Sequence, residues 1–103
     1  MNREGLEQEL KERGLSAPRI TPKDVKESIE KVEYYVFPSS QLTVCCMTLK
    51  NGFCVTGESA CASPENFNKE IGERIAYQQA ENKIWPLLGY VLKEKLHQAK
   101  GDE

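Results

Sequence analysis

Four cysteines, Cys45, Cys46, Cys54 and Cys61, and a single histidine, His97, are the residues of this chain most able to do chemistry. Thiols and imidazole bind zinc or, as a pair, carry nucleophilic catalysis, but both chemistries ask for particular spacings. Zinc sites announce themselves by paired, closely spaced ligands. No Cys-x-x-Cys occurs here, and His97 lies 36 positions beyond Cys61. The expectation is therefore no metal, no cofactor and no catalytic residue, with the cysteines serving as buried, reduced thiols. Glu70 and Glu73 form a carboxylate pair, yet at i, i+3 on a helix exterior such a pair reads as a solvated face. No glycine-rich phosphate loop is present. Tyr77, Trp85 and Tyr90, interleaved with Arg74, Lys83 and Lys93, could stack a base and hold a phosphate. As core-edge aromatics with charged flanks they need no ligand at all.

The bulk numbers bound the class. A chain of 103 residues with 29% charged and 39% hydrophobic residues is expected to form one soluble globular domain with a modest core. No apolar run reaches the ~18 residues of a membrane span. "MNREGLEQELKERG" lacks the apolar region of a secretory signal, so a cytoplasmic protein is expected. A net charge of −2 argues against non-specific binding to nucleic acid.

Residues 1–14 read as a short amphipathic helix with Leu6 and Leu10 one turn apart and Gly14 just past its end. Residues 15–21 are a proline-stiffened linker. Residues 22–98 hold the remaining structure, and 99–103 a frayed tail. Thr21, Pro22 and Asp24 spell an N-cap, a first-position proline and an acid three residues on. Val25, Ile29 and Val32 at i, i+4, i+7 then predict a second helix of about ten residues.

"EYYVFP" (33–38) predicts a strand. "QLTVCCMTLK" and "FCVTGESAC" predict a hairpin about Asn51-Gly52. A two-residue loop puts Leu49 opposite Cys54 and Cys46 opposite Gly57. One face then carries Leu42, Val44, Cys46, Thr48, Phe53 and Val55; the other carries Thr43, Cys45, Met47, Leu49, Cys54, Thr56 and Ala60. Both faces are apolar. In that register Cys45 and Cys54 share a face four rows apart, too far for a disulfide.

From Pro64 the pattern turns helical. Ser63-Pro64-Glu65 repeats the helix-start grammar, and Ile71, Ile75, Ala80, Ile84, Leu88, Leu92 and Leu96 form one stripe. That predicts a long helix kinked near Pro86, or two helices in line, ending by about His97. The fold class is α+β: a hairpin or three-stranded antiparallel meander on a long C-terminal helix, with two short N-terminal helices. One helix cannot cover both hairpin faces, so a homodimer or higher oligomer is expected to bury the second.

"APRITPKDV" (17–25), "LTVCCMTLKNGFCVTGESACASPENFNKEIG" (42–72) and "IWPLLGYVL" (84–92) together resemble a family of small tailed-phage proteins. It is typified by gene product 49 of coliphage N-four and gene product 66 of a Shigella phage. Leu88 departs from the acidic residue expected before Gly89-Tyr90. The resemblance implies a non-enzymatic phage or prophage accessory protein acting in the bacterial cytoplasm. A looser, architectural similarity to phage sponge proteins that sequester cyclic nucleotide defence signals implies a site. In it Phe67 would stack a base, Arg74 would hold a phosphate, and Asn66 and Asn68 would read polar edges. The alternative is an early factor that binds a host protein or regulates transcription.

Overall fold

The computed structural model describes residues 3–13 and 17–101. The element order is α1 (Arg3–Glu12), α2 (Pro22–Ser28), β1 (Ile29–Val36), β2 (Leu42–Leu49), β3 (Cys54–Ala60), a 3-10 turn (Pro64–Asn66) and α3 (Lys69–Gly101). The fold is α+β. Two units divide it, with the boundary inside α3: Ser28–Ile84 form one, and the chain up to Glu27 and from Trp85 onward the other. The expected helix stop at Gly14 with Leu15, and the last two tail residues, lie outside the described residues. So does the side chain of Leu10; Leu6 is 36% exposed.

In the unit Ser28–Ile84 the strands form one antiparallel sheet in the order β1-β2-β3. The expected ten-residue second helix stops after seven, at Ser28. Its start is as expected: the Thr21 backbone N–H donates to Asp24 Oδ2 at 2.9 Å, and the Asp24 N–H donates back to Thr21 Oγ1 at 3.2 Å. Ile29 and Val32 extend instead, because β2 offers partners to Ile29 and to Lys31–Val36, Leu49 opposite Ile29 and Met47 opposite Val32. Glu30 bulges between Ile29 and Lys31, and Lys50 Nζ reaches its carboxylate at 3.7 Å.

The hairpin register differs from expectation by one residue. Cys54 faces Thr48, Val55 faces Met47, Thr56 faces Cys46 and Gly57 faces Cys45. The loop has three residues, Lys50-Asn51-Gly52. The Leu49 N–H donates to Phe53 O at 2.8 Å, and the Gly52 N–H to Leu49 O at 2.9 Å. A two-residue type I′ loop needs positive φ at both central residues. Here only Gly52 has it, at 92°. A one-residue slip turns every β3 side chain to the opposite face. The inner face therefore holds Thr43, Cys45, Met47, Leu49, Val55 and Gly57. The outer face holds Leu42, Val44, Cys46, Thr48, Cys54, Thr56 and Glu58.

The first half of α3 covers the inner face with small residues. Gly72, Ala76, Ala80 and Ile84, four apart, are its buried positions, against Thr43, Cys45 and Met47, each 0% exposed. A Cβ built on Gly57 would lie 2.1 Å from Ala76 O and 2.5 Å from Ala80 N, so helix backbone rests directly on strand backbone there. The Glu58 N–H donates to Gln79 Oε1 at 3.1 Å beside this contact. A Cβ on Gly72 would stand 3.1 Å from Thr43 Oγ1, a buried hydroxyl with no hydrogen-bond partner. Ile71 and Ile75, expected in the stripe, are 49% and 45% exposed.

The outer face carries exposed Tyr35 and Phe37, stacked edge to face at 4.9 Å between ring centroids, near half-buried Leu42 and Val44. In the other unit the later part of α3 runs on through Pro86 to Gly101 as one helix, past the expected end near His97. Pro18, Arg19, Ile20, Asp24, Leu88, Val91, Leu92 and Lys95 line an open cleft of about 310 Å³ there, so Leu88 stands in a wall of mixed apolar and charged residues. No helix among the described residues is long and apolar enough to cross a membrane.

Candidate functional site at the start of the long helix

The segment between β3 and α3 starts a 3-10 turn, not the long helix. Ser63 stands at its N-cap without a side-chain cap bond, Pro64 follows, and the Phe67 N–H returns to Pro64 O at 3.1 Å. The α-helix begins at Lys69, and its cap is Asn68. Asn68 Oδ1 accepts the Ile71 N–H at 3.0 Å and its backbone carbonyl accepts the Gly72 N–H at 2.9 Å. The side chain of Asn68 is thus occupied in closing the helix end.

A groove of about 120 Å³ lies against this turn, within the unit Ser28–Ile84. Asn66, Phe67 and Asn68 line one side; Ile71, Gly72 and Ile75 continue it along α3. Gln41, Ser59, Ala60 and Cys61 form the other side at the end of the sheet. Phe67 is 37% exposed. Cys61 Sγ donates to Ser63 O at 3.3 Å, which ties the strand exit to the turn. The structure brings together three of the four residues expected to form a site. Arg74 is exposed and is not among the lining residues. One α-helical step is about 100°, so Arg74 is turned by that much from Ile75, which does line the groove.

Sequence reasoning missed Gln41, Ser59 and the two isoleucines as lining. Ile71 and Ile75 form an i, i+4 row immediately beside the row Gly72-Ala76-Ala80-Ile84. The smaller row, read with Gly57, is the signal for which face meets the sheet: backbone approach needs small residues on both partners.

Three groups on the sheet titrate abnormally. Burial raises the Tyr34 hydroxyl and the Cys45 thiol, and the Tyr34 O–H donates to the Cys45 sulfur. Burial, then the neighbouring Cys54 thiol, raises Cys46. All four cysteines are free; Cys45 alone is fully buried and Cys54 is exposed, against the expectation that all are buried. Cys45 and Cys54 stand on opposite faces, a stronger bar to a bridge than the expected separation along one face. Among the described residues no group of three or more His, Cys, Asp or Glu could hold a metal ion.

The model of the Phage protein (N4 Gp49/phage Sf6 gene 66) family matches residues 20–96. The chain belongs to that family. The match opens just before the Thr21 cap, spans the whole sheet and the groove, and ends one residue short of His97. No curated protein and no solved structure is detectably similar to the chain.

Proposed function

We propose that this phage-family protein is a non-enzymatic accessory factor that acts in the host cytoplasm by binding a host protein. The observation that carries the reading is the groove beside Phe67, Ile71 and Ile75, three large apolar residues left exposed at the start of α3. Exposed apolar side chains gathered in a groove are what protein interfaces use to seat an anchor. At about 120 Å³ the groove holds one side chain of a partner, below the ~300 Å³ at which pockets for drug-sized ligands begin. Its lining is apolar with neutral amides, hydroxyl and thiol, which suits an uncharged apolar anchor with hydrogen-bonding main chain.

The test is quantitative co-purification from infected cells. Ile71→Lys leaves the helix folded, because the residue is half exposed, and it abolishes capture of a defined host protein that Lys83→Glu leaves intact. Equal capture by both variants overturns the reading. The nucleotide-sponge reading has Phe67 beside Asn66 in its favour. It needs Arg74 from a second copy to supply the phosphate contact. A saturable thermal shift with a cyclic dinucleotide or cyclic ADP-ribose isomer, lost in Phe67→Ala, would replace the protein-partner reading. The homo-oligomer has Tyr35, Phe37, Leu42 and Val44 on the open sheet face in its support. Static light scattering at micromolar concentration reads it, and Val44→Lys is expected to give monomer.

A further inference from the structure

The outer face of the sheet carries two thiols that the hairpin register brings together. Cys46 sits opposite Glu33 on β1 and Thr56 on β3, and one row on Lys31, Thr48 and Cys54 are aligned. Cys46 and Cys54 are therefore diagonal neighbours on one face. Cys54 Sγ lies 3.7 Å from Thr48 Oγ1 and 3.8 Å from Gly52 O. The other two cysteines are elsewhere. Cys45 is buried on the inner face beneath Tyr34, and Cys61 is bonded to Ser63 O beyond the far end of β3.

We propose that Cys46 and Cys54 form a two-thiolate site for a soft, closed-shell metal cation, of which Cu(I) is the biological representative. The geometry selects this over the other chemistries open to a thiol pair. Diagonal residues of an antiparallel pair have Cα atoms about 7–8 Å apart, at or past the limit of about 7 Å for a disulfide. An S–S bond would therefore need the strands to move. Two sulfurs on opposite sides of one ion stand about 4.5 Å apart, twice a metal–thiolate bond of about 2.3 Å. Diagonal side chains on one face lean within reach of each other, so rotamer changes alone can bring the two sulfurs to that span.

Thiolates suit both zinc and Cu(I), and ligand number separates them: zinc asks for four in a closed site, whereas Cu(I) is content with two in line. Burial first and the Cys54 thiol second hold the Cys46 thiol up; the cation takes both sulfurs as thiolates, so its binding releases protons. Two thiolates and one monovalent cation leave a single negative charge. Lys31 in the next row is already ion-paired at 3.4 Å to Glu33, which stands directly opposite Cys46, so that charge is left to solvent at the exposed face. Nothing here depends on what occupies the groove at α3.

The experiment is anaerobic titration of the full chain with Cu(I) against a chromogenic Cu(I) chelator, for the wild type and for Cys46→Ser, Cys54→Ser and Cys61→Ser. The expected result is one Cu(I) per chain. Affinity should fall on the order of 100-fold or more in each of the first two variants and stay at the wild-type value in the third. X-ray absorption on the loaded wild type, which needs no variant, should show two sulfur neighbours at one distance. Retained affinity in Cys46→Ser or Cys54→Ser, failure to compete with the chelator, or a coordination shell of three or more ligands overturns the site.

Discussion

Gly57→Ala tests the closest contact of the fold. The added methyl would stand 2.1 Å from Ala76 O where ordinary contact begins at 3.4 Å, so it is 1.3 Å too close, with Ala80 N at 2.5 Å on its other side. Both atoms are main chain and cannot rotate away. The helix turn Ala76–Ala80 must lift by more than an ångström, which uncovers Cys45 and Met47. Overpacking costs about 1–3 kcal/mol, and rigid backbone on both sides places this at the upper end. Losing the Glu58–Gln79 bond beside it adds about 1 kcal/mol. A total near 4 kcal/mol is a large part of the roughly 5–15 kcal/mol that holds a domain folded. At roughly 4 °C per kcal/mol the melting temperature falls by about 15 °C. Urea unfolding followed by circular dichroism measures it. Gly89→Ala is the control: nothing lies within 4 Å of the built methyl, and helix propensity should make it stabilising by up to about 1 kcal/mol. Adding Ala76→Gly to Gly57→Ala should rescue nothing, because the clash is with the carbonyl oxygen. A Gly57→Ala chain within about 0.5 kcal/mol of wild type would refute the close approach.

Thr43→Val removes a buried hydroxyl that has no partner while keeping the shape, and is expected to raise the urea midpoint by the equivalent of about 1 kcal/mol. Asn68→Ala leaves the Ile71 N–H without its side-chain cap and should cost about 1 kcal/mol, with faster amide exchange confined to the first turn of α3. Cys45 and Cys46, ordinarily near 9.0, and Tyr34, ordinarily near 10.0, are all raised in the folded chain. The folded state then holds these protons more tightly than the unfolded chain. Stability is fully present below pH 9.0 and declines as pH rises through 9.0 and 10.0. A urea midpoint that is flat or rising over that range would contradict the tighter hold of the folded chain on these protons.

The class of the fold was legible because long elements carry strong periods. What escaped was decided by contacts distant in sequence. Val25, Ile29 and Val32 fit a helix period, and only β2, arriving later in the chain, converts the last two to strand. Asn51-Gly52 suits either a two- or a three-residue loop, and the choice turns on Asn51 keeping negative φ. Ser63-Pro64-Glu65 satisfies the grammar of a helix start, and a 3-10 turn uses it equally well while Asn68 caps the α-helix. Asn66, Phe67 and Asn68 meet in the groove because they are neighbours in sequence. Arg74 does not, because it lies on the side of the Ile71–Ile75 row turned away from Gly72 and the groove. The opposed glycines and alanines were readable, but their meaning needed the partner element.

The three-residue loop at Lys50-Asn51-Gly52 also bears on how such a chain can change over generations. Surface loops ordinarily absorb an inserted or deleted residue with little consequence. Here one codon more or less would offer β3 a new register, bringing larger side chains to the place where Gly57 admits the helix and parting the two thiols on the outer face. This exposed turn of the sheet is thus a poor place for length variation. Changes of residue type are tolerated there, provided position 52 keeps a glycine.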